Sequence, residues 1–161
     1  MTISELVAQH YDAVYRLAFR LAGTAHDAED ITQQTFLDAQ RKLETLRDLS
    51  SAKAWLCMIA RNLFRRKLRD SGPSRTALES IPEPACAAPP EPLDTNSLEL
   101  ALQELPTEFR TVLVYFYFQN LSYQQIAEEL NVPIGTVMSR LFYARKRLQV
   151  ELADYRTEVS S

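Results

Sequence analysis

The fold turns on the stretch Leu121-Ser-Tyr-Gln-Gln-Ile-Ala-Glu-Glu-Leu-Asn-Val-Pro-Ile-Gly-Thr-Val-Met-Ser-Arg-Leu-Phe-Tyr-Ala-Arg-Lys-Arg147. Ser122 with Gln125 three residues later predicts a capping box at the start of a short helix. Ile126, Ala127 and Leu130 then share one apolar face, with Leu121 just before the cap. Asn131 tolerates the left-handed conformation that ends such a helix, and Pro133 stops the first helix while suiting the start of a second. In that second helix Val137, Leu141, Ala144 and Leu148 follow the 3-4-3-4 spacing of a core-facing stripe. Ser139, Phe142, Tyr143 and Lys146 lie opposite; Thr136, Arg140 and Arg147 flank them on one side, Met138 and Arg145 on the other. No acidic residue occurs between Asn131 and Val150, so nothing there repels phosphate. Two short helices around a tight turn, the second ending in a basic cluster, form a helix-turn-helix, whose second helix enters the DNA major groove. The plainer alternative is a helical hairpin with a solvated basic end.

The rest of the chain reads as helix too. Of 161 residues only three are glycine, and no sustained period-two alternation is visible, which predicts an all-α fold. Ile3, Val7, His10, Val14, Leu17 and Leu21 repeat at helical spacing, and Gly23 ends that helix. Thr24 with Asp27 opens a second helix to about Leu46, with a stripe of Ala28, Ile31, Thr35, Leu37 or Asp38, and Leu43. Ser50 or Ser51 caps a third, about Ala52 to Arg69, whose apolar side holds Trp55, Leu56, Ile59, Leu63 and Phe64. Between Ser71 and Thr95 lie six of the eight prolines, and proline both removes backbone donors and disfavours helix before it. That composition predicts a Pro-rich linker. Asn96 with Glu99 then caps a short helix, Pro106 breaks it, and Thr107 to Gln119 form the next, with Tyr115-Phe-Tyr-Phe118 read as core. The last helix fades near Tyr155. The expected organisation is two small helical domains, 1–70 and 97–155, joined by a flexible linker at 71–96 and followed by a tail at 156–161.

The net charge of −3 argues by itself against nucleic-acid binding, but charge is unevenly placed. Arg61, Arg65, Arg66, Lys67 and Arg69 form one basic cluster and Arg140, Arg145, Lys146 and Arg147 another, while acid collects at Asp27, Glu29 and Asp30. Two separated basic patches suggest two contacts with one polyanion, although either alone reads equally well as a solvated face. Cys57 and Cys86 are not at metal-ligand spacing, and His10 and His26 lack partners, so neither a metal nor a cofactor is expected. No Gly-rich phosphate loop or nucleophile motif is visible, so no catalysis is expected. No apolar run is long enough to cross a bilayer and no signal peptide is visible, which predicts a cytoplasmic protein.

Leu105-Pro-Thr-Glu-Phe-Arg-Thr-Val-Leu, the Leu121–Leu130 segment and Pro133-Ile-Gly-Thr-Val-Met-Ser-Arg-Leu closely resemble region 4 of bacterial sigma factors. Asp27-Ala-Glu-Asp-Ile-Thr-Gln-Gln-Thr-Phe-Leu-Asp-Ala and Ala54-Trp-Leu-Cys-Met-Ile-Ala-Arg-Asn62 look like sigma region 2. Two such regions in this order, with a short linker, resemble the extracytoplasmic-function group of the sigma-70 family. The resemblance implies a non-catalytic RNA polymerase subunit that recognises −35 and −10 promoter elements and helps melt DNA. It implies that Asp27, Asp30, Gln33 and Gln34 face core RNA polymerase. It implies that Trp55, Arg61, Asn62, Arg65, Arg66 and Arg69 attend the −10 element and its melting. Met138, Ser139, Phe142 and Tyr143 match positions that touch −35 base edges, and Thr136, Arg140, Arg145 and Lys146 match phosphate holders, which position the protein without reading sequence. The implied partners are core polymerase, promoter DNA and an anti-sigma factor, with no small-molecule substrate. The chain departs from the family at Gln34 (usually acidic), at Tyr143 (often arginine), at Asn131 (usually glycine) and in Asp48-Leu-Ser-Ser-Ala-Lys53, which lacks the usual Phe and Gly. A free-standing dimeric helix-turn-helix regulator would explain only the C-terminal half. A nuclease or primase would need a carboxylate or metal constellation that the sequence does not offer.

Overall fold

The computed structural model describes residues 2–70 and 95–160, and among them every regular element is helical. The chain divides into two compact units, Met1–Pro73 and Ser74–Ser161. The expected linker lies, except for its last two residues, outside the described residues.

The first unit packs α1 (Ile3–Ala22), α2 (Ala25–Lys42) and α3 (Ala52–Asp70) against one another. Thr2 and Glu5 close a reciprocal capping box on α1, and Gly23 ends it at φ 85°, a conformation that costs glycine nothing. The Thr24 side chain accepts from the Asp27 N–H and caps α2, which starts at Ala25, as its sequence predicts. α2 stops at Lys42 and a 3₁₀ turn, Leu43–Thr45, replaces its expected last turn. A second 3₁₀ turn, Leu49–Ser51, leads into α3. Asp48 caps that turn, accepting from the backbone and hydroxyl of Ser50.

The buried stripes shift by a residue or two from expectation. α1 buries Leu6, Val14, Leu17, Ala18 and Leu21, while Ile3, Val7 and His10 sit half-buried at its margin. α2 buries Ala28, Ile31, Thr32, Thr35, Phe36 and Ala39. Thr32 and Thr35 are tolerated there because each hydroxyl donates to the carbonyl four residues earlier, at 2.7 Å. Leu37 is not in this stripe: it is 50% exposed. It stands two residues from Thr35, about 200° around an α-helix, on the far side from the core. α3 buries Leu56, Cys57, Ile59, Ala60 and Phe64.

The second unit contains α4 (Thr95–Gln103), α5 (Thr107–Leu113), α6 (Tyr123–Leu130) and α7 (Ile134–Ser160). α4 begins before the expected Asn96 cap. α5, α6 and α4 all pack on α7, which is therefore the spine of the unit. Pro106 separates α4 from α5, and the buried Arg110 reaches back across the break to donate to the Leu105 carbonyl at 3.3 Å. Burial holds the Arg110 pKa below its ordinary value. α5 continues into a π-helical turn, Val114–Phe118, marked by the Gln119 N–H bonding the Val114 carbonyl five residues back. Phe109, Val112, Leu113, Val114 and Tyr115 from this helix meet Ile126 of α6 and Val137, Leu141 and Ala144 of α7 in a shared set of buried side chains. α7 runs to Ser160, past the end expected near Tyr155, because no proline or glycine follows Gly135 to stop it.

The turn between α6 and α7 forms as its residues predict. Ser122 and Gln125 make both bonds of the capping box. Asn131 adopts φ 54°, ψ 49°, and the Val132 N–H reaches back to the Ala127 carbonyl, a Schellman-type closure. Asn131→Ala is expected to cost about 1–2 kcal/mol in urea unfolding, because alanine gains nothing locally to offset the left-handed conformation. Asn131→Gly is expected to be neutral or slightly stabilising in the same measurement.

Candidate functional site

Three surfaces gather the residues that the sequence singles out. On α2, Asp30, Gln33, Gln34 and Leu37 are exposed and spaced i, i+3, i+4, i+7, which aligns them on one helix face. Gln34 Nε2 donates to Asp38 Oδ1 at 2.9 Å. Leu37, which periodicity offers with Asp38 as alternatives for the core stripe, belongs to this face, as its offset from Ile31 and Thr35 requires. Asp27 stands beside this face, half-exposed at the start of the helix. Lys67 of α3 places Nζ 3.0 Å from Asp27 and 3.6 Å from Asp30. That ammonium, by hydrogen bond above all, holds the Asp27 carboxyl below its ordinary pKa. His26, Asp27 and Asp30 bring possible ligand atoms within 4.8 Å of one another, but Lys67 already supplies a cation to both carboxylates.

The second surface is on α3. Arg66 and Arg69 are exposed, while Trp55, Asn62 and Arg65 are half-buried. Asn62 Oδ1 accepts a hydrogen bond from Arg65, which orients that guanidinium along the helix. Arg61 departs from expectation. It is only 7% exposed, because it falls four residues after Cys57 and three before Phe64, on the packing stripe. A side chain so covered is not presented to DNA in this structure.

The third surface is the outward side of α7. Ile134, Gly135, Met138, Ser139 and Phe142 are exposed, and Thr136, Arg140, Tyr143, Lys146 and Arg147 flank them half-buried. Phe142 and Tyr143 meet edge to face at 5.4 Å between centroids. Arg147 Nε lies 3.9 Å from Glu151 of the next turn. Arg145, expected to hold phosphate, is instead engaged inside the unit. Its Nε donates to the Tyr117 hydroxyl at 2.7 Å, and its guanidinium lies 5.7 Å from the Phe116 ring centroid and 5.6 Å from that of Tyr117. Burial disfavours the Arg145 charge, but the phenols of Tyr123 and Tyr117 outweigh it and raise the pKa. The aromatic run therefore splits: Tyr115 is core, while the half-buried Phe116 and exposed Tyr117 grip Arg145 and tie the π-helical turn to α7. Tyr117→Phe is expected to cost about 0.5–1 kcal/mol by thermal unfolding, little because water can replace this open hydroxyl while the ring contact persists.

These surfaces coincide with regions shared by known proteins. Residues 6–73 match Sigma-70 region 2, and residues 95–148 match Sigma-70, region 4. The chain is 40% identical to the ECF RNA polymerase sigma factor SigE of Mycolicibacterium smegmatis over 97% of its length, though it spans only 63% of that relative. It is 35% identical to the ECF RNA polymerase sigma factor SigL of Mycobacterium tuberculosis, covering 92% of this chain and 88% of SigL. Among solved structures, the sigma factor RpoE of Bartonella quintana, crystallised with the anti-sigma factor NepR, is similar with a TM-score of 0.62 and 28% identity. That match covers 93% of this chain and 96% of RpoE.

Proposed function

The chain belongs to the extracytoplasmic-function group of the sigma-70 family, and from that premise we propose how its units divide the work. It acts as an alternative sigma subunit, binding core RNA polymerase and directing initiation at promoters with −35 and −10 elements. The observation that carries this reading is the presence of both family regions, in order, on one chain. The α2 face of Asp30, Gln33, Gln34 and Leu37, with Asp27 beside it, docks on polymerase. Trp55 and Asn62, with Arg65, Arg66 and Arg69, attend the −10 element as it opens, where an unstacked base can be read in a pocket. The outward side of α7 enters the −35 major groove, and Arg140 and Lys146 hold its phosphates. Polymerase couples the two DNA contacts by raising the effective concentration of each for the other. The chain itself carries out no chemistry in this scheme, and its work is done in the cytoplasm. Among the described residues no helix is long and apolar enough to cross a membrane. An anti-sigma factor is the partner expected to restrain it, by analogy with the RpoE–NepR complex.

Gel filtration of the chain with bacterial core polymerase tests the reading. Stable co-elution supports it; a folded chain that elutes alone counts against it. Within the same scheme, Arg65→Ala with Arg66→Ala is expected to lower open-complex yield several-fold at limiting template. Permanganate reactivity of the opened strand measures this, and an unchanged yield would sink the assigned role.

A further inference from the structure

The first two turns of the α7 face offered to DNA expose few hydrogen-bonding side chains. Ile134, Met138 and Phe142 are 44%, 52% and 47% exposed, each four residues from the last, so they form one continuous apolar ridge. It is about 12 Å long at 1.5 Å per residue, enough to lie along three or four base pairs at 3.4 Å each. Ser139 carries the only exposed side-chain polar group between Ile134 and Phe142. A β-carbon built at Gly135 would meet nothing within 4 Å, so the surface beside the ridge is open. Arg145 is turned away by Tyr117 and the aromatic rings. The surroundings still favour a polyanion: no acidic residue stands between Asn131 and Val150, Lys146 follows one turn after Phe142, and Arg140 and Arg147 lie farther round the same helix. Exposed apolar side chains on a helix that carries cations and no acid suit a ligand that is anionic outside and apolar within. In the DNA major groove the one apolar base feature is the thymine C5-methyl group, the partner of apolar side chains in direct readout.

We propose that Ile134, Met138 and Phe142 read thymine methyl groups in the −35 element, so that this sigma factor selects its −35 sequence largely by apolar contact. The inference rests on the proposed placement of α7 in the −35 groove. Direct readout here then asks for A·T pairs at two or three neighbouring steps, with thymine on the strand facing the ridge. Ser139 supplies the single flexible polar contact among them.

The experiment uses holoenzyme formed from the full chain and core polymerase. Promoters randomised at −35 are enriched by binding, and the selected sites are then remade with deoxyuridine for thymine, one position at a time. This change removes only a methyl group from DNA and leaves the protein intact. At contacted positions the expected result is binding about three- to fourfold weaker per methyl lost, the size of one buried methylene. Met138→Ala or Phe142→Ala should weaken binding to the thymine site by a similar factor and abolish sensitivity to uracil at its own position. Both side chains are exposed, so truncation leaves the core unchanged. A defined −35 preference in which every uracil substitution is neutral overturns the proposal and leaves the −35 assignment standing, with the ridge open to another occupant such as a protein segment. Methyl sensitivity that no ridge variant alters overturns the assignment to these residues. No −35 enrichment at all overturns the placement of α7 and the proposal together.

Discussion

Leu37→Lys is expected to weaken binding to core RNA polymerase by about 30-fold or more while leaving the chain folded. Leu37 is half exposed, so its replacement removes little from the core, and surface changes of this kind usually stay within about 0.5 kcal/mol of stability. What it does contribute is an apolar centre to the α2 face, framed by Asp30, Gln33, Gln34 and Asp38. An apolar anchor inside a polar rim is the usual form of an interface hot spot, worth about 2 kcal/mol or more on truncation. Lysine there also leaves an ammonium to be desolvated without a partner. Titration of labelled chain with core polymerase, read by fluorescence anisotropy, measures the effect. An unchanged Kd, with helical content preserved by circular dichroism, removes Leu37 from the docking face.

Phe109→Ala is the second large effect, and it acts through the fold. Phe109 is 1% exposed in α5, the helix that packs on α7. Removing a buried phenyl ring costs about 3–5 kcal/mol, from lost transfer energy and the cavity left behind. At roughly 0.05–0.15 kcal/mol per residue, a unit of this size holds only about 3–10 kcal/mol. The second unit is therefore expected to lose roughly half of its stability and to melt well below the parent, with −35 selectivity falling as it unfolds. Phe109→Leu, which keeps most of the volume, is expected to cost no more than about 1–2 kcal/mol and to retain selectivity. Hydrogen exchange resolved by segment checks both variants. Protection preserved across 107–150 in Phe109→Ala would show that α7 does not depend on α5 for its order.

The helix-turn-helix was legible because its signals are local. Ser122, Gln125, Asn131 and Pro133 each act within one turn of chain, and each forms the cap or turn that its chemistry predicts. The all-helical class was legible for the same reason. Side-chain placement that depends on neighbours was less so. Leu37 is apolar, and only the angle it makes with Ile31 and Thr35 shows that it faces away from α1 and α3. Arg61 is cationic, yet its spacing from Cys57 and Phe64 carries it under cover. Arg145 reads as a phosphate ligand until Tyr117, 28 residues earlier in the chain, is brought beside it by packing. Spacing along one helix can foresee the first two; no local signal foresees the third.

The π-helical turn at Val114–Phe118 has a consequence for how this chain tolerates change in length. A turn closed by i to i−5 bonds holds one residue more than its α-helical equivalent and absorbs it locally. Deleting a single residue there would let the turn relax into ordinary α-helix, the locally cheaper geometry. The residues that follow would keep their present direction, because the residue removed is the one the wider turn absorbs. One residue lost from this turn would thus disturb the unit less than one lost from α6 or α7, where no wider turn takes up the change.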